Sequence, residues 1–124
     1  MRALLLETDR IVSKCIVEEL LKRNIKTTVA VNGEDAIIAA DEFAPDIVIC
    51  ELSLYSHSGS EFLYEFRTYS DWQTIPIVIY SSIEVPKSIL ESKDWKLLNL
   101  SKTLYKPDDS LQKLGNEIES LLAT

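Results

Sequence analysis

The sequence is poor in residues that carry chemistry on their own. Its 124 residues include one histidine, one methionine, two cysteines and three glycines. Two thiols, Cys15 and Cys50, cannot build a disulfide framework or a four-thiolate zinc site; each sits among apolar residues and reads as a small buried hydrophobe. With only Gly33, Gly59 and Gly115 there is no G-x-G-x-x-G run and no P-loop, which speaks against a nucleotide enzyme. The single histidine, His57, has no second metal ligand beside it and reads as an exposed loop residue. No Ser/His/Asp set can be assembled, because nothing in the sequence would activate Ser81. Long apolar runs are missing too: none approaches the roughly 18 residues of a membrane span. The opening "MRALLLETDR" is apolar only over residues 3–6, too short for a signal peptide's core. A cytoplasmic protein without membrane contact is expected. Basic charge is scarce, with 13 Lys and Arg against 20 Asp and Glu and a net charge of −7. That balance is the reverse of a surface that neutralises phosphates, so no nucleic-acid partner is expected.

Hydrophobic residues make up 46% of the chain and charged residues 27%, the proportions of an ordinary globular protein, and the length suits one domain over residues 1–124. Two kinds of segment alternate. Residues 3–6, 27–31, 47–50, 75–80 and 103–105 are short, apolar and often β-branched, as strands covered on both faces of a parallel sheet are. Between them apolar residues recur with helical spacing: Ile11, Cys15, Ile16 and Leu20; Ala36, Ile37, Ala40 and Phe43; Phe62, Leu63, Phe66 and Tyr69; and Leu111, Leu114, Ile118, Leu121 and Leu122. Asn32-Gly33, Ala44-Pro45-Asp46 and Gly59 punctuate these segments, and Lys106-Pro107-Asp108 is expected to open the last helix. A fourth helix is expected from Pro86, losing definition around residues 95–100. Trp72 and Trp95 read as packing at the core's edge, with a partner contact conceivable for Trp95. Five strand–helix units in series predict an α/β fold in which helices cover both faces of a five-stranded parallel sheet.

In such sheets the functional crevice lies at the carboxyl ends of the strands. Those ends carry Glu7, Thr8 and Asp9 after the first strand, Glu51 after the third, Ser81 and Ser82 after the fourth, and Lys106 after the fifth. Carboxylates suit a hard divalent cation, a lysine neutralises a phosphoryl group, and a hydroxyl hydrogen-bonds one. In this order and spacing "ALLLETD", "PDIVICELSLYSHSG", "IPIVIYSS" and "LYKP" resemble the four motifs of bacterial response regulator receiver domains, the CheY-like phosphoacceptor modules of two-component signalling. The resemblance covers essentially the whole chain. It implies a flavodoxin-like, three-layer, doubly wound sheet of strand order 2-1-3-4-5 with five helices. It also implies a phosphorelay role rather than an enzyme's, and a protein partner, a histidine kinase or a downstream signalling protein. The partner face would lie on residues 85–122, opening on Val85 and closing on Leu122.

Carried over residue by residue, the resemblance puts Glu51 at the phosphoacceptor position, where the family has Asp. Ser81 falls on the hydroxyl position, Ser82 on the small residue beside it, and Lys106 on the lysine. The family's two metal-site acids fall on Glu7 and Thr8, so one carboxylate is missing. Asp9 could replace it as a ligand only through a shifted turn, and reads more simply as a helix N-cap. Any Mg²⁺ site would therefore be weak and degenerate, and no cofactor is expected. The aromatic switch position falls on Thr103, and the proline usual after the phosphoacceptor falls on Tyr55. Glu is one methylene longer than Asp, and displacements of about 1 Å can cost on the order of 10²-fold in rate. The expectation is a pseudo-receiver, with Glu51 either imitating the phosphorylated state against Lys106 and Ser81 or surviving from a decayed site. The alternatives are a receiver that still accepts phosphate on an unusual residue and, from another class, a small flavodoxin-like enzyme or cofactor carrier. For the last, "LETDRIVS" lacks a Ser/Thr-rich phosphate loop.

Overall fold

Twelve residues from the three inner strands explain why the sheet is covered on both sides. In a strand, successive side chains point to opposite faces. Leu4, Leu6, Val48, Cys50, Ile77 and Ile79 join one core cluster, and Leu5, Ile47, Ile49 and Val78, with Ala3 and Tyr80, join the other. The computed structural model describes residues 1–54 and 59–123. Among these, five parallel strands, β1 (Arg2–Leu6), β2 (Lys26–Ala30), β3 (Ile47–Cys50), β4 (Ile77–Ser81) and β5 (Lys102–Tyr105), stand in the order β2-β1-β3-β4-β5. The first core is roofed by α2 (Gly33–Phe43) and α3 (Gly59–Thr68), with Phe66 stacked on Trp72 at a centroid distance of 4.8 Å. The second is roofed by α1 (Arg10–Leu21) and the last helix, α6 (Leu111–Leu122). The expected strand order and three-layer architecture are present. No described helix is long and apolar enough to cross a membrane.

Among the described residues the expected count of five helices is corrected to six, with one further 3-10 turn at Ser70–Trp72. The fourth helix divides into α4 (Lys87–Leu90) and α5 (Lys93–Leu97) because of Ser92. Its hydroxyl donates back to the Ile89 carbonyl (2.6 Å), closing one helix, and accepts from the Trp95 N–H (3.3 Å), opening the next. A second correction concerns Lys106-Pro107-Asp108, which forms a turn rather than a helix start. The Asp109 carboxylate accepts the Tyr105 N–H there (2.8 Å), and Ser110 caps α6 by accepting from the Lys113 N–H (3.1 Å). Two apolar stripe members face solvent instead of the core: Ile11 on α1 and Tyr69, which lies past the end of α3. Cys50 is buried as expected, whereas Cys15 is only half-buried. Ala44 ends α2 in the left-handed region (φ 49°), the conformation a helix uses to turn off its axis.

Helices α1 and α6 are clamped at the opposite end of the molecule from the strand carboxyl ends. Arg23 donates to Glu119 (2.9 Å), to Asn116 (2.9 Å) and to the Gln112 carbonyl (3.4 Å), lying so close across Gly115 that a Cβ there would stand 2.4 Å from its Nε. Beside this clamp the Met1 carbonyl accepts the Lys26 N–H (3.1 Å). Met1, Asn24, Ile25 and Leu122 line one shallow cavity of about 290 Å³.

Candidate functional site

Strand register, rather than any loop, brings the site together. Leu6 pairs with Cys50, so the next residues, Glu7 and Glu51, emerge side by side; Ser81 pairs with Tyr105, so Lys106 emerges beside Ser81. The Glu51 N–H donates to the Leu6 carbonyl (2.9 Å), and the Lys106 N–H to the Ser81 carbonyl (2.8 Å), extending the ladder by one rung at each place. Glu7 and Glu51 are each only 3% exposed, and Ser81 is fully buried.

The Glu51 carboxylate accepts four hydrogen bonds. Its Oε1 takes the Lys106 ammonium (2.8 Å) and the Ser82 N–H (2.9 Å), and its Oε2 takes the Ser81 hydroxyl and the Ser53 N–H (3.2 Å). Two carboxylate oxygens offer about four lone-pair sites, so Glu51 is saturated by its own protein. Burial alone would raise its carboxyl, but the bonds from Lys106, Ser81, Ser82 and Ser53 outweigh it and hold the group at about 2. Burial likewise works to lower the Lys106 ammonium, and its bonds to Glu51 and Glu7 more than reverse this, leaving it raised. Glu7 contacts the same ammonium through Oε1, while its Oε2 accepts the Asp9 N–H (3.0 Å). Lys106 also lies 5.8 Å from the centre of the Tyr80 ring, whose hydroxyl donates to the Asp109 carbonyl (2.8 Å). Burial raises the Tyr80 phenol against the opposing charge of Lys106.

The predicted site residues therefore fall into two groups. Glu51, Ser81, Ser82, Lys106 and Glu7 form one bonded cluster. Thr8 and Asp9 only line the mouth of the small cavity, about 260 Å³, above it. Asp9 is the N-cap of α1, its Oδ1 accepting from the Ile11 and Val12 N–H groups (2.9 and 3.0 Å). Thr103 is half-buried on β5, opposite Ile79. Tyr55 and His57 lie outside the described residues. Sequence reasoning missed the Ser53 N–H, a backbone donor that no side-chain pattern announces, and the contact of Lys106 with Glu7. A signal for the second was available: two acids directly following two neighbouring strands must share whatever cation is near.

As they stand, these residues do not fit a magnesium ion. Mg²⁺ asks for octahedral oxygen ligands at about 2.0–2.1 Å. Here Glu51 has no free lone pair, Glu7 is bonded through both oxygens, Asp9 is occupied in capping, and Thr8 is neutral. Among the described residues no group of three acidic, histidine or cysteine side chains is arranged to hold a metal.

No family model matches the chain. A two-component response regulator from Clostridium difficile superposes with a TM-score of 0.85 at 23% identity, over 99% of this chain and 96% of that one. A Thermotoga maritima response regulator protein, solved in complex with Mg²⁺-BeF, superposes with a TM-score of 0.79 at 20% identity over 97% of each chain. The chain has the receiver fold. Among curated proteins it is 22% identical, over 93% of its length, to the probable transcriptional regulator ycf29 of Porphyra purpurea. The chain spans about half the length of the curated relatives it matches. Within the receiver fold the crevice stands at the carboxyl ends of the strands, where a doubly wound sheet holds its ligands.

Proposed function

We propose that this chain is a receiver-like signalling domain of a two-component or phosphorelay response regulator, acting through protein contacts with phosphoryl transfer at residue 51 lost. The observation that carries the proposal is the saturation of Glu51 by Lys106, Ser81, Ser82 and Ser53. A carboxylate oxygen can attack phosphorus only with a free lone pair. Here every donor that would steady an incoming phosphoryl group already holds Glu51 itself. The longer side chain thus stands where a shorter one would leave room, and binds the end of β4 through Ser81 and the loop after it through Ser82. In turn Ser81 accepts the Ile83 N–H (3.0 Å), which passes the restraint toward α4. The fold supports this reading, and so do the relatives whose names mark them as regulators. The proposed partner face, residues 85–122, presents exposed Ile89 and Leu97, with Ile83 at its edge.

Incubation with acetyl phosphate and Mg²⁺, followed by intact-mass measurement, tests the proposal. The expected result is an unmodified mass at all times sampled. A hydroxylamine-labile adduct mapped to Glu51 would overturn the loss of phosphoryl transfer.

A further inference from the structure

We infer that Lys106 is the crevice's resident cation: its ammonium fills the single cation position that Glu7 and Glu51 define and thereby keeps divalent metal ions out. The inference rests on the reading of the crevice just given, but it concerns metal rather than phosphate and is tested separately.

Three observations carry it. First, Glu7 and Glu51 are both buried and both turn an oxygen to the same nitrogen, Lys106 Nζ. Two buried carboxylates side by side repel each other unless one positive charge serves both. The ammonium, with three N–H donors and no lone pair, is the group that does so. Second, the lysine is fixed rather than wandering. Its side chain is 17% exposed, its backbone N–H is tied to the Ser81 carbonyl, and its charge lies by the Tyr80 ring. Third, a divalent ion drawn to the same two carboxylates would have to sit within a few ångströms of that ammonium. Like charges that close, with little water between them, repel strongly. The metal enters only if the lysine leaves, and the lysine's removal should therefore uncover a site the wild type lacks.

Mn²⁺ serves as the probe, because it takes the same oxygen ligands as Mg²⁺ and broadens nearby NMR signals. In the wild type the backbone amides of Thr8, Ser53 and Ser82 should keep their line widths as Mn²⁺ is added. In Lys106→Met the same three amides should broaden selectively, with affinity at least about ten-fold tighter than in the wild type. Lys106→Gln, neutral but still able to donate to a carboxylate, is the second variant in case the methionine is not tolerated. Adding Glu7→Gln to either variant should abolish the gain. Selective broadening in the wild type would overturn the inference, and so would failure of both folded variants to gain it. An acyl-phosphate adduct would instead overturn the proposed function and leave this inference to its own result.

Discussion

Glu51 and Lys106 are best understood as a three-body arrangement with Glu7. Lys106→Met would leave two buried carboxylates without a counter-charge, at an expected cost of about 3–5 kcal/mol. In a Glu51→Gln background the same change strands only Glu7, and should cost less by roughly 0.5–3 kcal/mol. Urea denaturation of the four proteins measures that difference; strict additivity would show that the pair is not coupled. Acid should expose the same pairing. Because the folded carboxyl sits at about 2, below the ordinary value of 4.5, its contribution is complete above pH 4.5 and is lost as pH falls from there toward 2. The loss is on the order of 3 kcal/mol. Stability of Glu51→Gln should vary less with pH across that window, which thermal melts at stepped pH would show; equal slopes would mean the carboxyl is not depressed in the native state.

At the scale of elements, the close approach of the head of α3 to the end of β3 depends on Gly59. A Cβ there would stand 2.4 Å from the Glu51 carbonyl oxygen and 2.8 Å from the Leu52 Cα, both backbone atoms that cannot move aside cheaply. Gly59→Ala should therefore destabilise by about 1–3 kcal/mol despite the better helix former at the head of α3. It should also shift the Ser82 amide signal, since Glu51 would move with its backbone; a stable variant with that signal unmoved would contradict the packing described. Gly59 was visible in the sequence only as a loop closer. The strands and most of the helices were legible because the apolar runs of β1, β3 and β4 and the stripes of α2 and α6 show their periods directly. Outside the crevice, long-range polar contacts were not. Ser92 splits a helix through two hydrogen bonds of one hydroxyl. From the last turn of α3, the Arg67 side chain donates to the Trp72, Leu98 and Asn99 carbonyls (2.7, 2.7 and 3.1 Å), a partnership no spacing rule contains. At the site, strand-end logic found the side chains of Glu51, Ser81 and Lys106. It could not supply the stagger between strands that decides which oxygen meets which donor.

For the molecule as a whole, the neighbourhood of Met1 and Leu122 has a topological consequence. Met1, just before β1, and Leu122, the last residue of α6, line one cavity beside the Arg23 clamp, so the first and last elements of the fold come together there. A short Gly/Ser bridge between them should close the polypeptide into a ring without disturbing any strand. Closing a loop of this length removes conformations from the unfolded chain and should stabilise the fold by up to roughly 4 kcal/mol, less any strain in the bridge. Comparing the urea midpoints of circular and linear forms measures it, and a lower midpoint for the circle would show that the ends are not free to join. A ring can also be cut elsewhere. New ends placed at an exposed turn, such as the one around Asn24, would make β1 an internal segment rather than a leading one, and the fold would be specified by the cyclic order of its strands and helices alone.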